Sequence, residues 1–194
     1  GFQMCGGVRV SGCRFEGNSG NGFHPGAGST DCLFEDCTGR GNSKSGFFFC
    51  VRANHIDVRN CRFEGNANGV SVGTRDSNNL LENCRMANNN GPGVLFRKSP
   101  PSCAPHSVLV RRCELRGNAC VDGPAQAVVE GNARDLHFQG NGFAQSGGAA
   151  TAIAIGADAR NVFLENNDFG DCAPSVQAKP ESLAASRPSF EVGC

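Results

Sequence analysis

Side chains suited to acid–base and anion-binding chemistry follow a glycine that recurs along the chain. The stretches "GFHP", "GFFF", "GVSV" and "GVLF" begin at Gly22, Gly46, Gly69 and Gly93. Read as strands they alternate, so the first residue after each glycine points inward and the next points outward. The inward residues are then Phe23, Phe47, Val70 and Val94. The outward column is Gln3, His24, Phe48, Ser71 and Leu95.

Two arginines extend this chemistry beyond the outward column. Arg52 lies six residues after Gly46, and Arg75 lies six residues after Gly69. On stacked strands their guanidinium groups would lie one strand spacing apart, where they repel each other unless an anion lies between them. Asp76 could be that anion, and so could the carboxylate or phosphate of a ligand.

A protein of formal net charge +0 therefore carries a small basic and aromatic patch. The candidate catalytic residues are His24, Arg52, Arg75 and Lys98. The candidate substrate-binding residues are Phe48, Asp76 and Arg97. Pro25 lacks an N–H group and ends its strand early, and the glycine-rich "PGAGST" leaves room over the face. The structural alternative is that a solenoid always aligns side chains and that arginine–aspartate pairs are often plain surface pairs.

The elements that would position these residues belong to a repeat. One slot recurs at intervals of 24, 24, 23, 29, 28 and 26 residues and holds Cys13, Cys37, Cys61, Cys84, Cys113, Asn141 and Asn167. Five residues after the slot comes an asparagine, which is Asn18, Asn42, Asn66, Asn89 or Asn118. Each period contains about three short alternating apolar segments separated by glycine and asparagine, which indicates three strands and three turns.

A single unit of this kind cannot bury its own apolar face, whereas stacked units can. The sequence therefore predicts an all-β, right-handed parallel β-helix of about seven rungs over residues 1–172, with an incomplete first rung. Residues 173–194 leave the repeat, and we expect a tail or cap there with a last strand at Phe190–Val192. A leucine-rich repeat protein has a similar period, but its leucine spacing and its helical segment are missing from this sequence.

The chain has 12 cysteines, and their spacing favours packing over metal binding. Five occupy the recurrent slot, so we expect an inward ladder of small buried side chains. Cys103 and Cys120 flank longer insertions and could pair, and Cys172 and Cys194 could tie the tail. Paired cysteines at zinc-ligand spacing are missing from the sequence, so we expect no structural zinc.

Composition narrows the possible partners. Zero net charge argues against a dedicated nucleic-acid binder. No apolar run approaches the roughly 20 residues that span a bilayer, and residues 1–10 do not form a signal peptide. The opening "GFQM" reads as the inside of a repeat, so we expect a fragment of a longer chain.

The segments "GFHPGAGS", "GFFFC", "VSVGTRDSNN" and "GVLFRK", set in this repeat, resemble the pectate-lyase-like superfamily of right-handed β-helix proteins. They are similar to a bacterial set with "HPG", "FFC", "GxRD" and "GVLFR" signatures. The resemblance covers residues 1–172 and implies the β-helix fold. It leaves the reaction open, because the superfamily includes polysaccharide lyases, glycoside hydrolases, epimerases and non-enzymatic members.

Each of these activities makes its own chemical demands. Inverting hydrolysis needs two converging carboxylates, but Asp76 is the only one near the column, and Asp31 and Glu130 lie farther away. A lyase acting on uronic acids needs a base for the C5 proton and a cation for the carboxylate, and the patch offers both types. The chain has no Tyr to act as the acid. Calcium-dependent members use clustered acidic residues, which this sequence lacks, so no cofactor is expected.

The leading hypothesis is a carbohydrate-active β-helix protein that binds a uronic-acid polysaccharide, as a lyase or epimerase if it is catalytic. His24 or Lys98 would transfer the proton, Arg52 and Arg75 would clamp a carboxylate, and Asp76 would orient an arginine. Two alternatives remain, a non-catalytic surface or adhesion module and a glycoside hydrolase fragment. We expect a secreted, periplasmic or cell-surface location, and the sequence leaves the oligomeric state undetermined.

Overall fold

The computed structural model describes residues 1–173, which form a right-handed parallel β-helix. In chain order the strands are β1 (Arg9–Ser11), β2 (Arg14–Glu16), β3 (Thr30–Glu35), β4 (Thr38–Arg40), β5 (Ser45–Phe48), β6 (Asn54–Arg59), β7 (Arg62–Glu64), β8 (Asn68–Val72), β9 (Ser77–Glu82), β10 (Arg85–Ala87), β11 (Val94–Phe96), β12 (His106–Arg111), β13 (Glu114–Arg116), β14 (Ala127–Val129), β15 (Arg134–Gln139), β16 (Gly142–Ala144), β17 (Ile153–Ile155) and β18 (Arg160–Glu165). A single 3₁₀ turn, Pro101–Cys103, interrupts the described strands. No helix in residues 1–173 is long and apolar enough to cross a membrane.

Three parallel sheets run the length of the described coil. The first sheet has seven strands, in the order β1-β3-β6-β9-β12-β15-β18. The second has six (β2, β4, β7, β10, β13 and β16), and the third has five (β5, β8, β11, β14 and β17). Each of the five complete turns, from β3–β5 to β15–β17, adds one strand to each sheet, which confirms the predicted fold and its three strands per period.

The cysteine slot forms the predicted ladder at the corner between the first and second sheets. Cys37, Cys61, Cys84 and Cys113 are buried and hold free thiols. The N–H of Cys37 donates to Sγ of Cys61 at 3.4 Å. Burial raises the pKa of the Cys37 thiol to about 11. These cysteines therefore act as small buried hydrophobic residues.

The recurring asparagines stack at the next corner and explain the recurring glycines. Nδ2 of Asn42 donates to Oδ1 of Asn66 at 2.8 Å, and Nδ2 of Asn66 donates to Oδ1 of Asn89 at 3.1 Å. A Cβ added to Gly46 would lie 2.8 Å from Nδ2 of Asn66, which is too close for any other residue. The recurring glycines Gly22, Gly46, Gly69 and Gly93 thus make room for the asparagine ladder.

Several expectations need correction or fall outside the described residues. The bridge between Phe2 and Pro25 places Gln3 beside Gly26, so Gln3 does not belong to the outward column of His24. Cys103 and Cys120 do not pair, because one lies in the turn before β12 and the other in the turn after β13, and both are free thiols. The expected strand at Phe190–Val192 and the Cys194 half of the second suggested pair lie outside the described residues.

Candidate functional site

The candidate site lies on the outer face of the third sheet. The predicted inward residues Phe23, Phe47, Val70 and Val94 are all buried. Phe48 pairs with Ser71 and Ser71 pairs with Leu95 in register, so these outward residues form the predicted column. A bridge between Phe23 and Phe47 places His24 one rung before Phe48. The backbone N–H of Phe23 donates to the carbonyl of Gly46. The equivalent nitrogen two residues later belongs to Pro25, which has no N–H, so the strand ends there.

Arg97 is the centre of the site. Its side chain runs back along the sheet from β11 across β8 to β5. Nη1 donates to Oγ of Ser71 at 2.6 Å, and Nη2 donates to the carbonyl of Phe49 at 3.0 Å. Its guanidinium carbon lies 4.1 Å from the centroid of the Phe48 ring, a cation–π contact. The guanidinium is therefore held over two neighbouring rungs, with only 26% of the side chain exposed.

A glycine makes this path possible. Gly73 occupies the outward position two residues after Ser71, and a Cβ there would overlap the guanidinium of Arg97. Ser71 was predicted only as a member of the outward column, and Gly73 was not predicted to belong to the site. The sequence did carry a signal for Gly73. It has no side chain at the position that Arg97 occupies in the following rung.

Asp76 lies beneath this guanidinium and is fully buried. Its corner of the coil holds small residues in other rungs, including Ser29, Ala53 and Ala133. Oδ2 of Asp76 accepts the N–H of Gly73 at 2.7 Å, and Oδ1 accepts the N–H of Ala53 at 3.0 Å. Nη2 of Arg97 is 3.8 Å from Oδ2. Burial outweighs these favourable contacts and raises the pKa of Asp76 to about 7.

His24 lies at the other edge of Phe48. The two rings meet edge to face, with centroids 5.2 Å apart and an interplanar angle of 83°. Nε2 of His24 is shielded from solvent and has no hydrogen-bond partner among residues 1–173. Burial, then the N-terminal amine and Arg97, lower the pKa of His24 from its usual value. Near neutral pH the imidazole is therefore uncharged and able to accept a proton.

Arg52 and Arg75 lie at the tips of two successive turns. Both have left-handed backbone, with φ of 65° and 59°, and both are exposed. The N–H of Arg52 donates to the carbonyl of Thr74 at 3.1 Å, so the two turns stack on consecutive rungs. Nε of Arg75 contacts Sγ of Cys103 at 3.3 Å.

The structure corrects the suggested pairing of Arg75 with Asp76. The residue before β9 turns its side chain into the coil, so Asp76 lies inside while Arg75 points to solvent. Among the described residues, the ion pair of Asp76 is with Arg97. The geometry thus links Asp76 to the outer face of the third sheet and leaves Arg52 and Arg75 at its rim.

Lys98 is exposed at the opposite side of Arg97 from His24. Its backbone N–H donates to Oε2 of Glu130 at 3.1 Å. Glu130 lies four rungs from His24, about 19 Å at the spacing of neighbouring strands. The structure therefore groups His24, Phe48, Asp76 and Arg97, and separates them from Lys98 and Glu130.

The grouped residues provide a fixed cation, an aromatic face and an uncharged imidazole on one surface. Nε of Arg97 has no hydrogen bond to any residue in the described range, so donor capacity remains for a ligand. No group of three or more potential metal ligands is found in residues 1–173. The arrangement is suited to hold an anionic group at Arg97, beside Phe48, and to exchange a proton at His24.

Comparisons with known proteins agree with the fold. The family described as "Right handed beta helix region" matches residues 1–79 and 52–184. The A-module of the mannuronan C-5 epimerase AlgE4 of Azotobacter vinelandii is similar in structure, with a TM-score of 0.72 and 16% identity, over 92% of this chain and 57% of that one. An alginate lyase from Paenibacillus sp. has a TM-score of 0.64 and 12% identity, over 79% and 55% of the two chains. The periplasmic alginate epimerase AlgG has a TM-score of 0.63 and 16% identity, over 76% and 32%.

These similarities have a limited extent. The chain spans about half the length or less of these solved structures. No curated protein matches its sequence.

Proposed function

This chain belongs to the right-handed β-helix region family, and from that premise we propose that it binds and acts on a uronic-acid polysaccharide along the outer face of the third sheet. The observation that carries the proposal is the guanidinium of Arg97, which lies 4.1 Å from the centroid of the Phe48 ring, with His24 against the same ring. The solved structures similar to it include epimerases and a lyase whose names specify alginate or mannuronan, and these are polymers of uronic acids. A periplasmic or extracellular location fits this substrate class.

The proposed chemistry begins at C5 of a uronate residue. The proton on this carbon is adjacent to the carboxylate, so its removal creates an enolate-like anion that a nearby cation stabilises. Arg97 would bind the carboxylate, and His24 would accept the proton. Return of a proton from solvent to the opposite face gives epimerisation, whereas cleavage of the C4–O4 bond, with a proton from solvent to the departing O4, gives a lyase product with a C4–C5 double bond.

The remaining candidate residues take supporting roles in this proposal. Phe48 would pack against a sugar ring. Arg52 and Arg75 would attract neighbouring carboxylates of the polymer at the rim. Asp76 would orient Arg97, and Lys98 would be a second proton-transfer candidate on the far side of Arg97. No metal or other cofactor is assigned a role.

The test is a panel of uronic-acid polymers, with polymannuronate, polyguluronate and polygalacturonate as substrates. Lyase activity would appear as ultraviolet absorbance of the unsaturated product, and epimerase activity as exchange of the C5 proton with deuterated solvent. His24→Ala should abolish the signal, with the loss of about 10²-fold or more expected for a missing proton-transfer group. His55→Ala, at an exposed histidine on β6, is the matched control.

The alternative is a binding module without catalysis. It is favoured by the separation of His24 from Lys98 and Glu130, which leaves one proton-transfer group in the cluster. Binding of a uronate polymer that Arg97→Gln weakens, with neither absorbance nor deuterium exchange, would support it. A glycoside hydrolase is less consistent with the geometry, because Asp76 is buried beneath Arg97 and Glu130 lies about 19 Å from His24.

A further inference from the structure

The buried Asp76 is out of place in the corner it occupies. The same corner holds Ala53 in the preceding rung, Pro105 in the next rung, and Ala133 and Ala159 in the two rungs after that. Alanine therefore fits this position sterically, and packing does not require a carboxyl group. Among residues 1–173, the carboxyl group at this corner is that of Asp76. It belongs to the rung that the side chain of Arg97 crosses at Gly73.

Charge balance gives this carboxyl group a consequence for binding. In the free site Arg97 and Asp76 neutralise each other, at 3.8 Å and without a hydrogen bond between them. A ligand carboxylate at Arg97 would leave two negative charges and one positive charge in a largely desolvated place. Uptake of one proton from solvent by Asp76 restores neutrality, since a buried charge without compensation is costly.

We propose that Asp76 makes this a proton-linked anion site, in which binding of one uronate carboxylate at Arg97 is coupled to uptake of one proton by Asp76. This inference rests on the proposed function for the identity of the anion. Protonated Asp76 no longer competes for the guanidinium, so the site binds its anion more tightly when Asp76 is uncharged. Linkage requires the converse as well: the bound anion favours the protonated acid.

Several other charged or titratable groups lie near Asp76. Arg97 faces it from the third sheet, and Arg52 and Arg75 belong to the stacked turns at the same corner. From β12, His106 donates its backbone N–H to the carbonyl of Asp76. His24 is the competing proton acceptor, because it lies across Phe48 from Arg97. Removal of each acid or base separately identifies the group that takes up the proton.

The experiment is calorimetric titration of the protein with a mannuronate oligomer at about pH 7.5, in phosphate and in Tris, whose ionisation enthalpies differ. Wild-type protein should show proton uptake as a dependence of the apparent binding enthalpy on the buffer. Asp76→Asn should abolish that dependence, and His24→Gln should retain it. At about pH 8, Asp76→Asn should also bind at least about fivefold more tightly than wild type, with the difference lost near pH 5.5.

Two results would overturn the inference: binding by wild type without proton uptake, or unchanged uptake in Asp76→Asn. If wild type binds no uronate polymer at any pH, the proposed function fails, and the Asp76–Arg97 linkage is judged on its own by carbon-13 titration of the side-chain carboxyl. If the carboxyl of Asp76 titrates near neutral pH, and its pKa is higher in Arg97→Gln, the coupling between Asp76 and Arg97 is retained. Titration below about pH 5 in both proteins would remove it.

Discussion

At the scale of single residues, the site is defined by the contacts that hold the side chain of Arg97 in place. Three neighbours fix its guanidinium: Ser71 and Phe49 accept its hydrogen bonds, and Phe48 supports its face. A lysine could place a charge in the same region but could not make the same two directed hydrogen bonds while lying against the Phe48 ring. The geometry is therefore specific to arginine, and Asp76 beneath it sets the local charge balance.

Asp76 also makes protein stability depend on pH. Its pKa is raised from the ordinary value of 3.8 to about 7 in the folded chain, with burial as the main cause. Its contribution to the free energy of unfolding is present below pH 3.8 and is lost as pH rises through about 7. Asp76→Asn should therefore be more stable than wild type at about pH 8, by up to about 4 kcal/mol less about 1 kcal/mol for the lost acceptor.

Urea unfolding at about pH 5 and pH 8 measures this difference. Asp57→Asn is the control, because Asp57 lies on the outer face of the first sheet and pairs with Arg59 at 2.6 Å. It should show little difference between the two pH values. A lower stability of Asp76→Asn at both pH values would contradict the prediction and would mean that the two N–H donors stabilise the carboxylate.

At the scale of elements, corner ladders connect one rung to the next. Asn66 is fully buried, and its side chain makes four hydrogen bonds: it accepts from the N–H and Nδ2 of Asn42 and donates to Gly39 and Asn89. Asn42, Asn89 and Asn118 repeat this arrangement, and Gln126 accepts from Asn118 at the end of the ladder. The ladder satisfies backbone groups at a corner where the strands of the second and third sheets cannot.

Asn66→Ala should destabilise the protein strongly, by about 2–4 kcal/mol, because it leaves several buried polar groups without partners. The matched control is Asn18→Ala, at the exposed first step of the same ladder, where about 1 kcal/mol or less is expected. Thermal and urea unfolding measure both variants. Equal losses at the two positions would show that the ladder contributes through local turn conformation and not through burial.

At the scale of the whole molecule, stability is shared along the axis of the coil. Strand pairing joins each rung to its two neighbours, so interior rungs open only with much of the structure, whereas features outside the coil open freely. The cysteines report this difference. Cys61 and Cys84 are buried within the coil, whereas Cys120 is exposed and Cys103 is half-buried in the 3₁₀ turn. Contact with Ser102 and Arg75 lowers the pKa of Cys103.

The thiols should accordingly react in a set order with a maleimide under native conditions. Cys103 and Cys120 should be labelled within minutes, Cys13 more slowly, and Cys61 and Cys84 only at the rate of unfolding. Mass spectrometry of peptides from timed samples gives the order, and the same labelling in urea supplies the reference. Fast labelling of Cys61 in native protein would contradict a continuous packed ladder.

The repeat alone predicted the coil and four of the five outward residues, His24, Phe48, Ser71 and Leu95, whereas Gln3 lies beside Gly26. In-phase repeats at a period near 24 allow only stacked parallel strands, and period-two alternation then settles which residues point outward, as for His24 and Phe48. It did not determine the site. The inward turn of Asp76 depends on the backbone of its corner, and the path of Arg97 depends on the gap at Gly73 and on acceptors in two other rungs. Contacts of this kind join residues 26 and 48 positions apart. They depend on side-chain conformations that form only in the assembled coil, so the repeat could not show which basic residue becomes the centre of the site.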